Sequence, residues 1–208
     1  MNREYLDEAS LARGVRYLCK RDTDLAGIVK EFGPPPMWER EEGFHTLIHI
    51  MLEQQVSLAS ARAAYNRLLE TVTPLTPAAF LELDDASLKR IGFSRQKTEY
   101  GRAIARAIAD NCLNLADLGS LPDTEVKTEL MKVKGIGHWT SDIYLLMALR
   151  RPDIWPSGDL ALAVAVERVK RLRSRPTNEE LTAISHQWQP WRAVAARLLW
   201  HYYLSSRR

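Results

Sequence analysis

Asp159 closes the segment Trp155–Pro156–Ser157–Gly158–Asp159, directly before a long apolar run that begins at Leu160. After a glycine and before a helix-forming stretch, an aspartate is by default an N-cap that accepts a main-chain N–H of the first turn. A negative charge in this position interacts favourably with the helix dipole. A carboxylate fixed in this way can also stabilise a developing cation, or orient and deprotonate a water. The two roles are compatible, and residue type alone leaves both open. A second segment with chemical potential reads Val133–Lys134–Gly135–Ile136–Gly137–His138–Trp139–Thr140. Two glycines around one apolar residue let the chain turn sharply and approach another backbone, while Ile136 fills the gap between two helices. The turn leads into a helix N-terminus, where N–H groups and the dipole attract an anion such as phosphate. Lys132 and Lys134 add positive charge beside it. The plainer reading is a tight connection between helices.

Other constellations carry less. His45, His49 and Glu53 share one helical face at i, i+4 and i+8, a spacing that could ligate zinc. The metalloprotease pattern needs Glu directly after the first His, where Thr46 stands, so core-edge histidines are the simpler reading. Asp84–Asp85 and Glu41–Glu42 read as charges that complement helix starts. Two cysteines, Cys19 and Cys112, cannot build a disulfide framework or a four-thiolate metal or iron–sulfur site.

The elements that must position these residues are helical nearly throughout. Apolar residues recur at helical spacing over 7–21, 25–32, 41–52, 57–72, 77–83, 86–91, 95–111, 125–133, 138–149, 159–173 and 189–204. No stretch shows sustained alternation with β-branched enrichment, so the expected class is all-α. Gly33 and the Pro34–Pro35–Pro36 run make the clearest linker. At 208 residues, one domain or two small ones is expected. Hydrophobic residues at 46% and charged residues at 26% fit a globular chain and exclude a disordered one. No apolar run is long enough for a bilayer, and MNREYLDEAS lacks the layout of a secretory signal, so a cytoplasmic protein with no membrane partner is expected. The net charge of +3 conceals an asymmetry: residues 150–208 hold eleven Lys/Arg against five Asp/Glu, and the rest holds eighteen against twenty-one. A basic stretch of this kind can approach phosphates, although a solvated arginine-rich surface is the ordinary alternative.

Taken together, the motifs resemble the helix-hairpin-helix (HhH-GPD) DNA glycosylase superfamily. Its hairpin is matched by Lys134–Gly135–Ile136–Gly137–His138–Trp139–Thr140, and its aspartate after a Pro-containing loop by Asp159, twenty residues past Trp139. Ile50–Met51–Leu52–Glu53–Gln54–Gln55–Val56–Ser57 resembles its I-L-G-Q-Q-V-S segment, with Glu53 where Gly is usual. Gly92 to Lys97 resembles its G-x-x-x-x-K turn. Trp188–Gln189–Pro190–Trp191–Arg192, followed by Trp200, is similar to the alkylpurine-specific branch. The similarity runs from about Trp38 to Leu204.

The resemblance implies two helical lobes with a cleft between them. One is formed by residues 1–36 plus 150–208 and carries Asp159; the other, residues 37–149, ends in the helix-hairpin-helix at 131–149. It implies catalysis by Asp159 on the N-glycosidic bond of a damaged base in double-stranded DNA, through base flipping by a monomer. Sugar hydrolases usually need a second carboxylic acid, but an alkylated purine is already cationic and leaves well, so one carboxylate suffices. Gln54 and Gln55 match the position where the family inserts a side chain into the duplex. Trp139 and Trp200 match base-pocket aromatics, whose faces suit a cationic base through cation–π attraction of up to about 2 kcal/mol. Tyr144 is a weaker pocket candidate, and Ile143 stands where the branch has a second aromatic, which keeps deaminated bases in play as an alternative substrate. Lys134, Gly135, Ile136, Gly137 and Thr140 match the phosphate-gripping hairpin. The carbonyls of Met131, Val133 and Gly135 match a site for a sodium or potassium ion, and no cofactor is expected for catalysis. Trp139 occupies the position of the lysine that strand-cutting members use as a Schiff-base nucleophile, which implies no lyase activity. The rival from another class is a DNA-binding module that keeps the hairpin without turnover.

Overall fold

The computed structural model describes residues 5–206. Residues 1–4 of the N-terminal segment read above, and Arg207 and Arg208 of the basic stretch, lie outside them. In chain order the helices are α1 (Glu8–Cys19), α2 (Thr23–Phe32), α3 (Phe44–Glu53), α4 (Leu58–Thr71), α5 (Pro77–Leu81), α6 (Asp85–Ile91) and α7 (Arg95–Ala109). They continue with α8 (Leu115–Leu118), α9 (Asp123–Met131), α10 (His138–Met147), α11 (Leu160–Val169), α12 (Asn178–Ser185), a 3-10 turn (His186–Trp188) and α13 (Arg192–Ser205). The all-α expectation holds, with no strand among the described residues. No helix of the described residues is long and apolar enough to cross a membrane.

Side-chain caps set the helix starts. Asp7, Asp22, Ser57, Asp84 and Ser94 each accept a first-turn N–H. The apolar run after Asp159 ends at Val169, short of the expected 173, and α12 follows where no helix was expected. Its start carries a readable signal: Thr177 and Glu180 form a reciprocal capping box.

The chain divides into two units, Met1–Glu39 with Leu145–Arg208, and Arg40–Tyr144. These boundaries differ from the expected 36/37 and 149/150, and the differences have a physical cause. Arg197, fully buried, donates from Nε to the Met37 carbonyl at 2.8 Å and from Nη2 to the Leu146 carbonyl at 2.9 Å. It thereby anchors both segments to the first unit. Burial pushes its pKa down to about 10, which still leaves it charged near neutrality.

In the first unit α13 is the central helix, buried continuously from Ala193 to Trp200, as an element apolar on nearly every side must be. Helices α1, α2 and α11 pack around it. Gly14 of α1 makes the close approach possible: a Cβ there would lie 2.8 Å from both Trp191 and Val194. In the second unit α3, α4, α5 and α7 share a core of Phe44, Leu47, Ile48, Leu68, Phe80 and Ile104.

Candidate active site and nucleic-acid interface

Asp159 lies in the first unit, at the mouth of a loop held from several sides. Arg192 grips Asp153 with two N–H groups at 2.9 Å, and Ala193 N–H donates to the Pro152 carbonyl at 3.0 Å. Trp155 packs on Trp188 with ring centroids 5.3 Å apart. Gly158 adopts φ +79, a left-handed value that a side chain would strain, and turns the loop into α11. Asp159 then caps that helix: Leu162 N–H donates to its Oδ1 at 2.9 Å. The same oxygen accepts the indole N–H of Trp200 at 3.2 Å. Both residues are buried, with 9% and 8% of their surfaces exposed. A carboxylate with one oxygen fixed by two donors is held in a single orientation, as electrostatic stabilisation or water activation requires.

Trp188, beside this loop, donates from Nε1 to Asp22 at 2.8 Å. Lys170 at the end of α11 completes the network, reaching Asp22 at 2.8 Å and Asp24 at 2.9 Å. Burial pushes Asp22 up, yet Lys170, Trp188 and the Leu25 N–H together bring it below the usual carboxylate range.

The hairpin lies in the second unit. Gly135 adopts φ +97, and a Cβ there would collide with the Tyr100 ring, so packing and backbone both demand glycine. Gly137 is different. A Cβ there would meet no protein atom within 4 Å, so no internal packing explains the glycine; close approach of an outside backbone would. Ile136, 5% exposed, plugs the turn as its apolar character requires. The two hairpin helices are tied by Lys127 of α9, whose ammonium lies 2.6 Å from the buried carboxylate of Asp142 on α10. Lys132 pairs with Glu129 at 2.7 Å and Lys134 with Glu99 at 3.2 Å. Solvated pairs of this sort are weak, so neither lysine is committed to its carboxylate.

Among the expected insertion residues, the structure separates two neighbours. Gln55 is exposed and adopts φ +57 at the tip of the turn between α3 and α4. Gln54 instead turns inward, its Nε2 donating to the Gly135 carbonyl at 2.9 Å and to Thr140 Oγ1 at 2.8 Å. Thr140, expected in the phosphate-gripping hairpin, is buried, and its hydroxyl accepts this Gln54 N–H. Tyr144, a candidate pocket residue, is fully buried, and its hydroxyl accepts the Gly43 N–H at 3.1 Å. Burial raises its pKa to about 12, so it stays a neutral phenol. Ile143 is buried at 2% exposure, whereas Trp139 is half-buried near the start of α10.

The histidine face resolves as structure. Glu53 is clasped by Arg40 at 2.7 and 3.0 Å, and His49 stacks on Tyr65 with centroids 4.2 Å apart. No group of three His, Cys, Asp or Glu suited to a metal occurs among the described residues. Lys97 was legible only as part of a motif. Its ammonium donates to the Leu52 carbonyl at 2.5 Å, closing the last turn of α3 next to Gln54.

These features have a precedent in known proteins. The chain belongs to the HhH-GPD superfamily of base excision DNA repair proteins, whose description matches residues 48–190. It is similar to the Bacillus subtilis (strain 168) protein YfjP, 28% identical over 186 residues, which covers 86% of this chain and 65% of that protein. The alkylbase DNA glycosidase-like protein mag2 of Schizosaccharomyces pombe is 25% identical over 200 residues, covering 93% of this chain and 94% of its own. Among solved structures, the 3-methyladenine DNA glycosylase Mag1 of the same yeast, in complex with abasic DNA, superposes with a TM-score of 0.84 at 27% identity. That match covers 90% of this chain and 95% of Mag1.

Proposed function

We propose that this chain is a DNA glycosylase that hydrolyses the N-glycosidic bond of alkylated purines, of the 3-methyladenine and 7-methylguanine type, in duplex DNA. The observation that carries the reading is Asp159, a carboxylate fixed at a helix N-terminus by the Leu162 N–H and the Trp200 indole. As the bond from C1′ to a cationic base lengthens, positive charge develops on the sugar. The carboxylate stabilises that charge and takes the proton of the incoming water. The departing base needs no general acid, because alkylation has already given it the positive charge that departure neutralises. An abasic sugar and a free base result.

A stacked base is out of reach of any such carboxylate, so the nucleotide must be extruded. Gln55 is the group offered to the vacated space, and Trp139 and Trp200 are the aromatic candidates for contact with the base. The hairpin, through the main chain around Gly137 with Ile136 beneath it and Lys134 beside it, holds a phosphate. The carbonyls of Met131, Val133 and Gly135 are a hard-oxygen set compatible with a sodium or potassium ion, and the Gly135 carbonyl is already oriented by Gln54. Such an ion would add positive charge at the phosphate end of the hairpin. With Trp139 in place of a nucleophilic lysine, the enzyme leaves the strand uncut. It works as a monomer on DNA in the cytoplasm or nucleoid.

The test is to incubate the protein with methylated duplex DNA, and separately with uracil- and hypoxanthine-containing duplexes, and to chromatograph the freed bases. Methylated purines are expected in the supernatant with strands intact. Release of uracil or hypoxanthine alone would overturn the substrate assignment, and release of nothing would overturn the enzyme reading.

A further inference from the structure

We infer that Gln54 and Lys97 are positioning residues that clamp the exposed Gln55 turn to the hairpin, so that phosphate grip and side-chain insertion act as one rigid element. The inference deepens the glycosylase reading above and rests on it.

The turn between α3 and α4 is an unusual surface. Gln55 holds a left-handed φ of +57, a sparsely populated conformation for a residue with a side chain. Beyond it, Val56 and Leu58 expose 44% and 58% of their surfaces. A strained turn that points apolar groups at water relaxes inward unless something outside it fixes it. Ser57 caps α4 by accepting the Ser60 N–H, but this secures only the far side.

Two side chains secure the near side. Lys97 donates to the Leu52 carbonyl, one of the terminal acceptors of α3 that no helical N–H can satisfy, and a cation there complements the helix dipole. Gln54, the next residue but one, spends both amide protons on the hairpin: one on Gly135 O and one on Thr140 Oγ1, partners 81 and 86 residues away. The amide orientation is dictated by chemistry, since a carbonyl only accepts. Gly135 is also the residue pressed against Tyr100. Lys97 and Tyr100 are three residues apart on α7, hence neighbours on one face. One helix therefore touches the turn with one residue and the hairpin with the other, while Gln54 joins the two directly. The triangle is closed. With the hairpin seated on a phosphate, Gln55 and Val56 are already aimed and need no separate ordering step, whose entropy would otherwise oppose insertion.

The experiment compares Gln54→Leu, Lys97→Met and Lys97→Arg with the wild type in the full chain. Thermal melting first establishes that each variant folds. Extrusion is read from the fluorescence of 2-aminopurine placed beside a methylated or abasic-analogue nucleotide, and affinity from anisotropy with an undamaged duplex. Expected are losses of about tenfold in the extrusion equilibrium and in the single-turnover rate for Gln54→Leu and Lys97→Met. Undamaged-duplex affinity should stay within about twofold, because the phosphate contacts remain. Lys97→Arg, which keeps a cationic donor, should recover most of the loss, and Gln54→Leu combined with Gln55→Ala should extrude no worse than Gln55→Ala alone. Wild-type extrusion in Gln54→Leu, or an equal fall in affinity and extrusion, would overturn the clamp. Should the wild type itself release no base, the glycosylase reading fails instead. The clamp is then decided by amide exchange at Gln55, Val56 and Ser57, faster in Gln54→Leu if it exists and unchanged if it does not.

Discussion

The indole Nε1 of Trp200 donates to Oδ1 of Asp159 at 3.2 Å, converging on the oxygen that also accepts the Leu162 N–H. Asp159 and Trp200, 41 apart in sequence, thus meet at one acceptor atom that takes one donor from the helix Asp159 caps and the other from α13. The rigidity of α13, buried from Ala193 to Trp200, is passed through this bond to the carboxylate. Trp200 is therefore better described as orienting Asp159 than as a face for the base alone.

Trp200→Phe separates those roles, since it keeps an aromatic ring and removes the N–H. Loss of a hydrogen bond to a charged group should lower kcat about tenfold with KM within about twofold. A raised KM at unchanged kcat would mark Trp200 as a base-stacking group. Steady-state kinetics on a methylated duplex makes the distinction.

The hairpin glycines should fail in opposite ways. Gly135→Ala places a methyl against Tyr100 at φ +97 and should cost about 2–4 kcal/mol, seen as a lowered Tm. Gly137→Ala meets open space, so stability should change by less than about 0.5 kcal/mol. Duplex affinity, measured by anisotropy at fixed salt, should nevertheless fall several-fold if the proposed phosphate contact is made there, because the methyl would stand in the way of the approaching backbone.

Stability should weaken in acid through Asp22. Its pKa in the folded protein is lowered: burial opposes the shift, but Lys170, Trp188 and the Leu25 N–H outweigh it. A lowered carboxylate contributes stability above its unfolded value near about 3.9, and loses it as pH falls through the folded value below that. Asp22→Asn should cost about 3 kcal/mol at neutral pH by leaving Lys170 without its main partner. The gap to wild type should close as pH falls through the lowered folded value, in urea titrations run across the acid range.

Much of the architecture was readable from periodicity because most helices bury one stripe. The hairpin and Asp159 stood out because glycine spacing and a cap before an apolar run are local signals. What escaped the sequence was side-chain direction. Gln54 and Gln55 are the same residue type side by side, and only a carbonyl 81 residues away decides which turns inward. Gly135 and Gly137 look alike until Tyr100 is placed against one of them. The unit boundary after Tyr144 falls inside α10, where the pattern is unbroken, so only the tertiary anchors of Leu145 and Leu146 define it. The capping box at Thr177 and Glu180 was a local signal that did mark α12.

The most direct test of the central claim is single-turnover base release by Asp159→Asn. Asparagine is as good an N-cap as aspartate, so α11 and the fold should persist. The substitution keeps one oxygen to accept the cap hydrogen bond and removes the negative charge. Release of methylated purine should fall by a factor of about 100 or more, while affinity for an abasic-analogue duplex stays within about threefold. Release at the wild-type rate by a folded, DNA-binding Asp159→Asn protein would contradict the account.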